Sequence, residues 1–83
     1  MALVRLTAIL AREAGGRAAF DTQAATLRAA LLELPVADLL FDVHGELRRL
    51  VNVYLDGDDA RAALDGPLAP DATVRVVAAV AGG

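Results

Sequence analysis

The strongest constraint on the fold is the order in which two kinds of hydrophobic periodicity follow each other along the chain. Apolar residues alternate with polar ones in three regions, as in strands with one buried face. The regions are residues 2–10, residues 50–55 and residues 73–79. Helical spacing occurs over one long stretch, between the first two of these regions. This order predicts an α+β domain in two layers, with one main helix covering one face of a mixed sheet of four to five strands.

The N-terminal alternation predicts a first strand over residues 2–10. Gly15 and Gly16 follow, and glycine readily adopts the positive φ angles that a tight reversal needs. Residues 17–21 are therefore expected to return as an antiparallel second strand.

The main helix is predicted over residues 23–34, where apolar residues recur at helical spacing. Asp21 or Thr22 is suited to cap its N-terminus, and Pro35 ends the pattern. The following segment, residues 35–49, is predicted to be irregular, although its apolar residues would also suit a short helical turn under the sheet.

The remaining strands are predicted in the C-terminal third of the chain. Residues 50–55 form a third strand, and Asp56-Gly57 is a hairpin-type turn that leads to a short edge strand over residues 59–62. Residues 73–79 form the last strand. No linker is long enough to divide the chain, so a single domain is expected.

Composition excludes several classes of function. The 83 residues include no cysteine, and all eight basic residues are arginine, so no disulfide, thiolate metal site or lysine-based phosphate loop is available. The net charge of −3 argues against a nucleic-acid partner. No apolar run is long enough to span a membrane and no secretory signal is recognised, so no membrane partner and a cytoplasmic location are expected.

The candidate catalytic and metal-binding side chains do not form a recognisable site. His44 is the single histidine, and the chain has neither cysteine nor serine to act as its nucleophilic partner. Asp56, Asp58 and Asp59 lack the ligand spacing of a calcium loop and are interpreted as a solvated turn. We therefore expect a protein that is not an enzyme and has no catalytic residue, bound metal or cofactor.

Three segments carry a resemblance to a known family. They are Leu-Val-Asn-Val-Tyr-Leu-Asp-Gly-Asp-Asp at 50–59, Asp-Gly-Pro-Leu at 65–68, and the ending Val-Arg-Val-Val-Ala-Ala-Val-Ala-Gly-Gly at 74–83. In these the chain resembles the ubiquitin-like sulfur-carrier proteins: the small subunit of molybdopterin synthase, the thiazole-synthesis carrier and, most of all, the carrier of an O-phosphoserine-dependent cysteine synthase. Ala78 departs from the family pattern, in which proline is common. The resemblance implies a β-grasp fold whose last strand lies parallel to the first.

The resemblance also implies a function for the C-terminus. In such carriers the carboxylate of the last glycine, here Gly83, is adenylated and converted to a thiocarboxylate that donates sulfur in the biosynthesis of cysteine, a cofactor or a natural product. Gly82, Ala81 and Val80 would be recognised with it, and the two terminal glycines have no side chains to block a narrow channel.

The implied domain organisation is a β-grasp domain over residues 1–79 and a flexible Gly-Gly tail over residues 80–83. The implied partners are an adenylating enzyme resembling ubiquitin-activating enzymes, a sulfurtransferase or sulfide source, and a sulfur-accepting synthase. A metalloprotease that releases the product is a further partner the resemblance allows. ATP would be bound and used by the activating partner.

Strand parity predicts the surface that such a partner would contact. Successive strand residues point to opposite faces, so Arg5, Asn52, Tyr54, Arg75 and Val77 should share the face that the helix leaves open. Tyrosine and arginine often dominate binding energy, and Tyr54, Arg75, Val77 and Arg5 are therefore the predicted docking residues.

Two other functions remain open at this point. A ubiquitin-like protein modifier would use the same activation and be conjugated through Gly83, and a non-catalytic β-grasp interaction domain would not use Gly83 at all.

Overall fold

The computed structural model describes residues 1–78, which form a mixed sheet of five strands and a helical layer. The strands are β1 (Ala2–Leu6), β2 (Ala19–Thr22), β3 (Val51–Leu55), β4 (Asp58–Asp59) and β5 (Thr73–Ala78). The helices are α1 (Ala8–Glu13), α2 (Leu27–Leu32) and α3 (Ala37–Leu40), with a 3-10 helix at Arg61–Ala63.

The sheet has the strand order β2-β1-β5-β3-β4, which places β5 at its centre. β5 runs parallel to β1, with Val74 beside Val4, and antiparallel to β3, with Val76 beside Val53. A parallel pair needs a crossover connection, which here contains α2 and α3. This is the β-grasp arrangement, and the predicted fold class is confirmed.

The core lies between one face of the sheet and the helices. The strand residues at its centre have no more than 1% of their surface exposed: they are Val4, Val53, Val74 and Val76. From α2, Leu27, Ala30 and Leu31 pack against them. Burying a valine or leucine side chain completely stabilises a fold by about 1.5–3 kcal/mol, so these contacts are the main source of stability.

β1 is shorter than predicted. It ends at Leu6, and the prediction of a strand over residues 2–10 is wrong beyond that point because α1 follows. Leu10 and Ala11 are both buried. Two adjacent residues of a strand point to opposite faces, whereas two adjacent residues of a helix can both lie on its buried side.

α1 is inserted into the predicted N-terminal hairpin. The reversal itself is confirmed, since Gly15 and Gly16 after α1 have φ angles of 75° and 92°. β2 then pairs antiparallel with β1, but it spans Ala19–Thr22 rather than the predicted 17–21.

The main helix is also shorter than the predicted 23–34. α2 begins after Thr26, whose Oγ1 accepts a hydrogen bond from the amide of Ala29 at 3.1 Å. The cap is therefore Thr26 rather than Asp21 or Thr22.

Thr22 does not cap α2 and instead hydrogen-bonds to two other residues. Its hydroxyl accepts a hydrogen bond from the amide of Ala24 at 3.0 Å and donates one to Glu33 Oε1 at 2.7 Å. Such a local side-chain bond competes with helix formation. The residues between Thr22 and α2 are not helical.

The segment over residues 35–49, predicted to be irregular, contains the short helix α3. Val36 and Leu40 are buried under the sheet, as expected for a helical turn there. Leu39 and Val43 are not, since 41% and 93% of their surface is exposed.

The β3–β4 hairpin contains the predicted turn, since Asp56 and Gly57 have φ angles of 50° and 92°. The edge strand predicted over residues 59–62 is wrong after Asp59, because a 3-10 helix begins at Arg61. The Arg61 amide donates to Asp59 Oδ1 at 2.9 Å, a local bond that turns the chain out of the ladder.

Candidate partner-docking face

The docking residues predicted from strand parity do share the face of the sheet opposite the helices. Arg5 and Arg75 are exposed, and Asn52, Tyr54 and Val77 are half-buried, while the residues between them along each strand are buried or lie on the core side. We call these five residues the open-face patch. The open-face patch results from the alternation of strand side chains, because the alternate residues of the same strands point to the other face and fill the core.

Strand register arranges part of this patch in one line across the sheet. Arg75 of β5 lies beside Arg5 of β1 on one side and beside Tyr54 of β3 on the other. Tyr54 is in turn paired with Asp59 of β4. Neighbouring strands are about 4.8 Å apart, so Tyr54, Arg75 and Arg5 occupy neighbouring positions in one row across the open face.

A second line of the patch lies near the C-terminal end of β5. Val77 is paired with Asn52 of β3. On the other side, the amide of Thr7 donates to the carbonyl of Val76 at 3.2 Å, which continues the β1–β5 ladder towards α1. The patch therefore extends to the end of the sheet where β5 ends at Ala78.

α1 lies against this end of the sheet, and its Ile9 has 46% of its surface exposed. Sequence reasoning missed α1 because it assigned residues 2–10 to a strand. The sequence signal that would have found α1 is the apolar set Leu10, Ala11 and Ala14, whose spacing fits a helix better than alternation.

The predicted tail residues are outside this description. Val80, Ala81, Gly82 and Gly83 lie beyond the described residues, as does the predicted boundary at residue 79. The described chain ends at Ala78 of β5, the strand that also carries Arg75 and Val77, and the chemistry proposed for the tail stays a prediction.

The ion pair observed within residues 1–78 lies in the helical layer rather than on the open face. Arg28 of α2 donates from Nε to Asp65 Oδ1 at 2.7 Å and from Nη1 to the carbonyl of Gly45 at 2.8 Å. The hydrogen bond from Arg28 lowers the pKa of the Asp65 carboxyl, and the same bond raises the pKa of Arg28. Sequence reasoning did not single out either residue.

His44 is exposed at the tip of a turn after α3. Its amide donates to Asp42 Oδ1 at 2.8 Å, and the amide of Glu46 donates to the same oxygen at 3.0 Å. These bonds, the one from Glu46 foremost, lower the pKa of Asp42. The turn is thus stabilised through backbone amides, and the structure gives the His44 imidazole no hydrogen-bond partner among the described residues.

Within the described part of the chain, no group of three or more histidine, aspartate or glutamate side chains is arranged to hold a metal ion. In the same residues, no helix has the length and apolar character required to cross a membrane.

The sheet order, the helical layer and the open face next to the end of β5 define a ubiquitin-like β-grasp protein. The chain matches the sequence model of the ThiS family over residues 4–83 and belongs to that family. The predicted membership of the ubiquitin-like sulfur carriers is thereby confirmed.

Three solved structures illustrate the similarity. CysO of Mycobacterium tuberculosis is 27% identical, with 96% of this chain and 100% of that chain covered and a TM-score of 0.83. SAMP1 of Haloferax volcanii is 30% identical, with 99% and 98% covered and a TM-score of 0.77. A chain of the Amycolatopsis orientalis BexX/CysO complex is 24% identical over 100% of both chains, with a TM-score of 0.79, and shows the shared fold. No curated protein sequence matches significantly.

Proposed function

We propose that this protein is a sulfur carrier that holds sulfur as a thiocarboxylate on Gly83. The observation that carries the proposal is the ThiS-family match, which continues through the terminal Gly82-Gly83. The sheet supports it, because β5, the strand that the tail follows, is held at the centre of the sheet between β1 and β3. A central strand is a rigid base from which a partner can receive the tail.

The chemistry requires two steps on the activating partner. The Gly83 carboxylate attacks the α-phosphate of ATP, and pyrophosphate leaves to give an acyl-adenylate. Sulfide then attacks the carbonyl carbon and AMP leaves, which produces the thiocarboxylate. A persulfide on a sulfurtransferase can replace sulfide if a second thiol afterwards cleaves the acyl disulfide.

In this scheme the chain is the substrate that the partner activates and the carrier of the sulfur, rather than the catalyst. It contains no cysteine and no serine, so no side chain offers a thiol or a serine hydroxyl to the activated terminus. ATP is bound by the activating enzyme, and this chain supplies the tail and the open-face patch that the enzyme recognises. Because the scheme needs ATP and biosynthetic acceptors, the cytoplasm is the compartment we propose.

The proposed partners are an adenylating enzyme, a sulfur source and a sulfur-accepting synthase. CysO of Amycolatopsis orientalis has been solved in a complex with BexX, which supports recognition of a β-grasp domain of this kind by a partner protein. The acceptor would make cysteine, a cofactor or a natural product, and a metalloprotease would release the product if it remains attached to Gly83.

A second candidate function is protein modification. The 30% identity to SAMP1, and the name small archaeal modifier protein given to its Methanosarcina acetivorans counterpart, favour conjugation through Gly83 as the alternative. Both functions begin with the same adenylate, and they differ in the group that attacks it.

Intact-mass analysis separates the two functions. The protein is incubated with its activating enzyme, ATP and a sulfur source, with a reaction lacking ATP as the control. A carrier gains the mass difference of one oxygen replaced by sulfur, and a modifier gives a covalent adduct on another protein. An unchanged mass with an enzyme that forms the adenylate would contradict the sulfur-carrier proposal.

A further inference from the structure

The central pairing of the open face brings two like charges together. Arg5 and Arg75 are direct neighbours in the parallel ladder of β1 and β5, and both are exposed on the same face. Like charges directly opposite each other destabilise a sheet. Positive charge is therefore concentrated in the middle of the open face, in a chain whose net charge is −3.

The carboxylates nearest to this pair in the sheet do not neutralise it. Among residues 1–78 the one ion pair joins Arg28 to Asp65, so neither Arg5 nor Arg75 has a described carboxylate within salt-bridge distance. Asp21 of β2 is diagonal to Arg5 on the same face, beside Leu3, and forms no ion pair with it. Asp59 is in the same row as the arginines but beyond Tyr54, and its Oδ1 already accepts the Arg61 amide at 2.9 Å. Within residues 1–78, the two guanidinium groups consequently keep their donors available to a partner.

Apolar surface adjoins this charge. Tyr54 lies beside Arg75 in the row, and Val77 follows two positions along β5 on the same face. Arginine and tyrosine are enriched among the residues that dominate binding energy when a partner covers them. Contact with Tyr54 and Val77 would also exclude water, which strengthens the interaction of a carboxylate with the guanidinium groups.

We propose that Arg5 and Arg75 form one binding site for a pair of carboxylate side chains on the activating enzyme, and that this site sets the rate at which carrier and enzyme associate. The proposal rests on the proposed function and adds the chemistry of the partner surface. Arginine binds carboxylates through two parallel hydrogen bonds, so two adjacent arginines match two adjacent acidic residues. Binding would also remove the repulsion between the arginines.

Other occupants fit the face less well. A twofold contact between two copies centred on β5 would place Arg75 against Arg75 and double the repulsion. A nucleic acid would meet the two arginines but also a chain with a net charge of −3 and aspartates on the edge strand β4. An acidic protein surface limited to the centre of the sheet avoids both conflicts.

The test compares charge reversals by stopped-flow or surface-based association kinetics with the adenylating enzyme. Arg5→Glu, Arg75→Glu and the double variant change the pair, and Arg49→Glu changes the net charge equally at an exposed residue before β3. Arg75→Lys keeps the charge but removes the planar guanidinium group, which can donate two parallel hydrogen bonds to one carboxylate. Circular dichroism and unfolding curves establish that each variant is folded.

We expect each single reversal within the pair to lower the association rate constant by about tenfold or more at low salt, since electrostatic steering acts over this range. The effect should shrink as salt increases, because about 0.1 M salt screens exposed charges beyond about 10 Å. Arg49→Glu should change the rate little, and Arg75→Lys should retain most of it while dissociating faster.

The inference is overturned if both reversals associate at the wild-type rate, if Arg49→Glu loses as much, or if the wild type binds a DNA duplex as tightly as it binds the enzyme. Self-association of the wild type that is lost in both reversals would assign the face to a second copy instead. Thiocarboxylate formation by the wild-type protein is measured separately. If it occurs while the reversals bind normally, the carrier function stands and this inference alone fails.

Discussion

Arg28 and Asp65 form a two-pronged ion pair, with Nε donating to Oδ1 at 2.7 Å and Nη2 to Oδ2 at 3.3 Å. Arg28 is on α2, and Asp65 follows the 3-10 helix, 37 residues further along the chain. The same guanidinium donates to the carbonyl of Gly45 and lies 5.8 Å from the centre of the Phe41 ring. One side chain thus connects three segments of the helical layer.

This ion pair predicts a pH dependence of stability. The Arg28 hydrogen bond lowers the pKa of Asp65 below its ordinary value of 3.8. A carboxyl whose folded pKa is lowered stabilises the fold above the unfolded pKa and loses that contribution as the pH falls through the folded pKa. We therefore expect Asp65→Asn to be less stable than wild type near neutral pH, with a difference that narrows in acid.

Urea unfolding of both proteins between about pH 7 and about pH 2 measures this difference. Asp71→Asn is the matched control, since Asp71 is an exposed carboxylate outside the pair. A stability difference between Asp65→Asn and wild type that stays constant across the whole range would show that the ion pair does not cause it.

The buried face of α2 predicts a contrast between two adjacent leucines. Leu31 is fully buried, whereas Leu32 has 55% of its surface exposed. Replacing a buried leucine by alanine loses its contacts and leaves a cavity, so Leu31→Ala should lower the free energy of unfolding by about 2–5 kcal/mol. Leu32→Ala should change it by about 0.5 kcal/mol or less. Chemical denaturation measures both, and similar losses in the two variants would contradict the observed packing.

Tyr54 provides a test of the open-face patch that is independent of charge. Its aromatic side chain lies between Arg75 and Asp59 in the sheet register and is half-buried before any partner binds. Tyr54→Ala should weaken binding to the activating enzyme by about 1–3 kcal/mol while the domain remains folded. Tyr54→Phe keeps the ring and should bind nearly as wild type if the ring is what the enzyme contacts. Calorimetric titration measures both, and wild-type affinity of Tyr54→Ala would place recognition elsewhere.

The C-terminal carboxylate provides the most direct test of the carrier chemistry. Deleting Gly83, or converting its carboxylate to an amide, should abolish thiocarboxylate formation and leave the unfolding curve nearly unchanged. The amide variant is the sharper of the two, because it keeps the length and both glycines and removes only the oxygen that attacks ATP. Sulfur transfer by the amide variant would refute the proposal that Gly83 holds the sulfur.

Much of the fold was predictable from periodicity. Alternation identified three strand regions and the parity of their faces, and the Asp56-Gly57 and Gly15-Gly16 turns were correctly located. Element ends were less predictable, as at residues 7–13, where a strand pattern and a helix pattern overlap. α1 forms there because Leu10 and Ala11 both reach the core, and that depends on the position of the sheet.

The sequence by itself determined the fold class, the two faces of the sheet and the family to which the chain belongs, because hydrophobic periodicity and the terminal motif are local properties of the chain. Tertiary structure decided which residues from distant segments meet. It placed Arg5 beside Arg75, and Arg28 against Asp65, through strand register and helix docking. Periodicity indicates the face on which a side chain lies, but the cross-strand partner depends on the packing of the whole core, so these pairs were visible only in the folded chain.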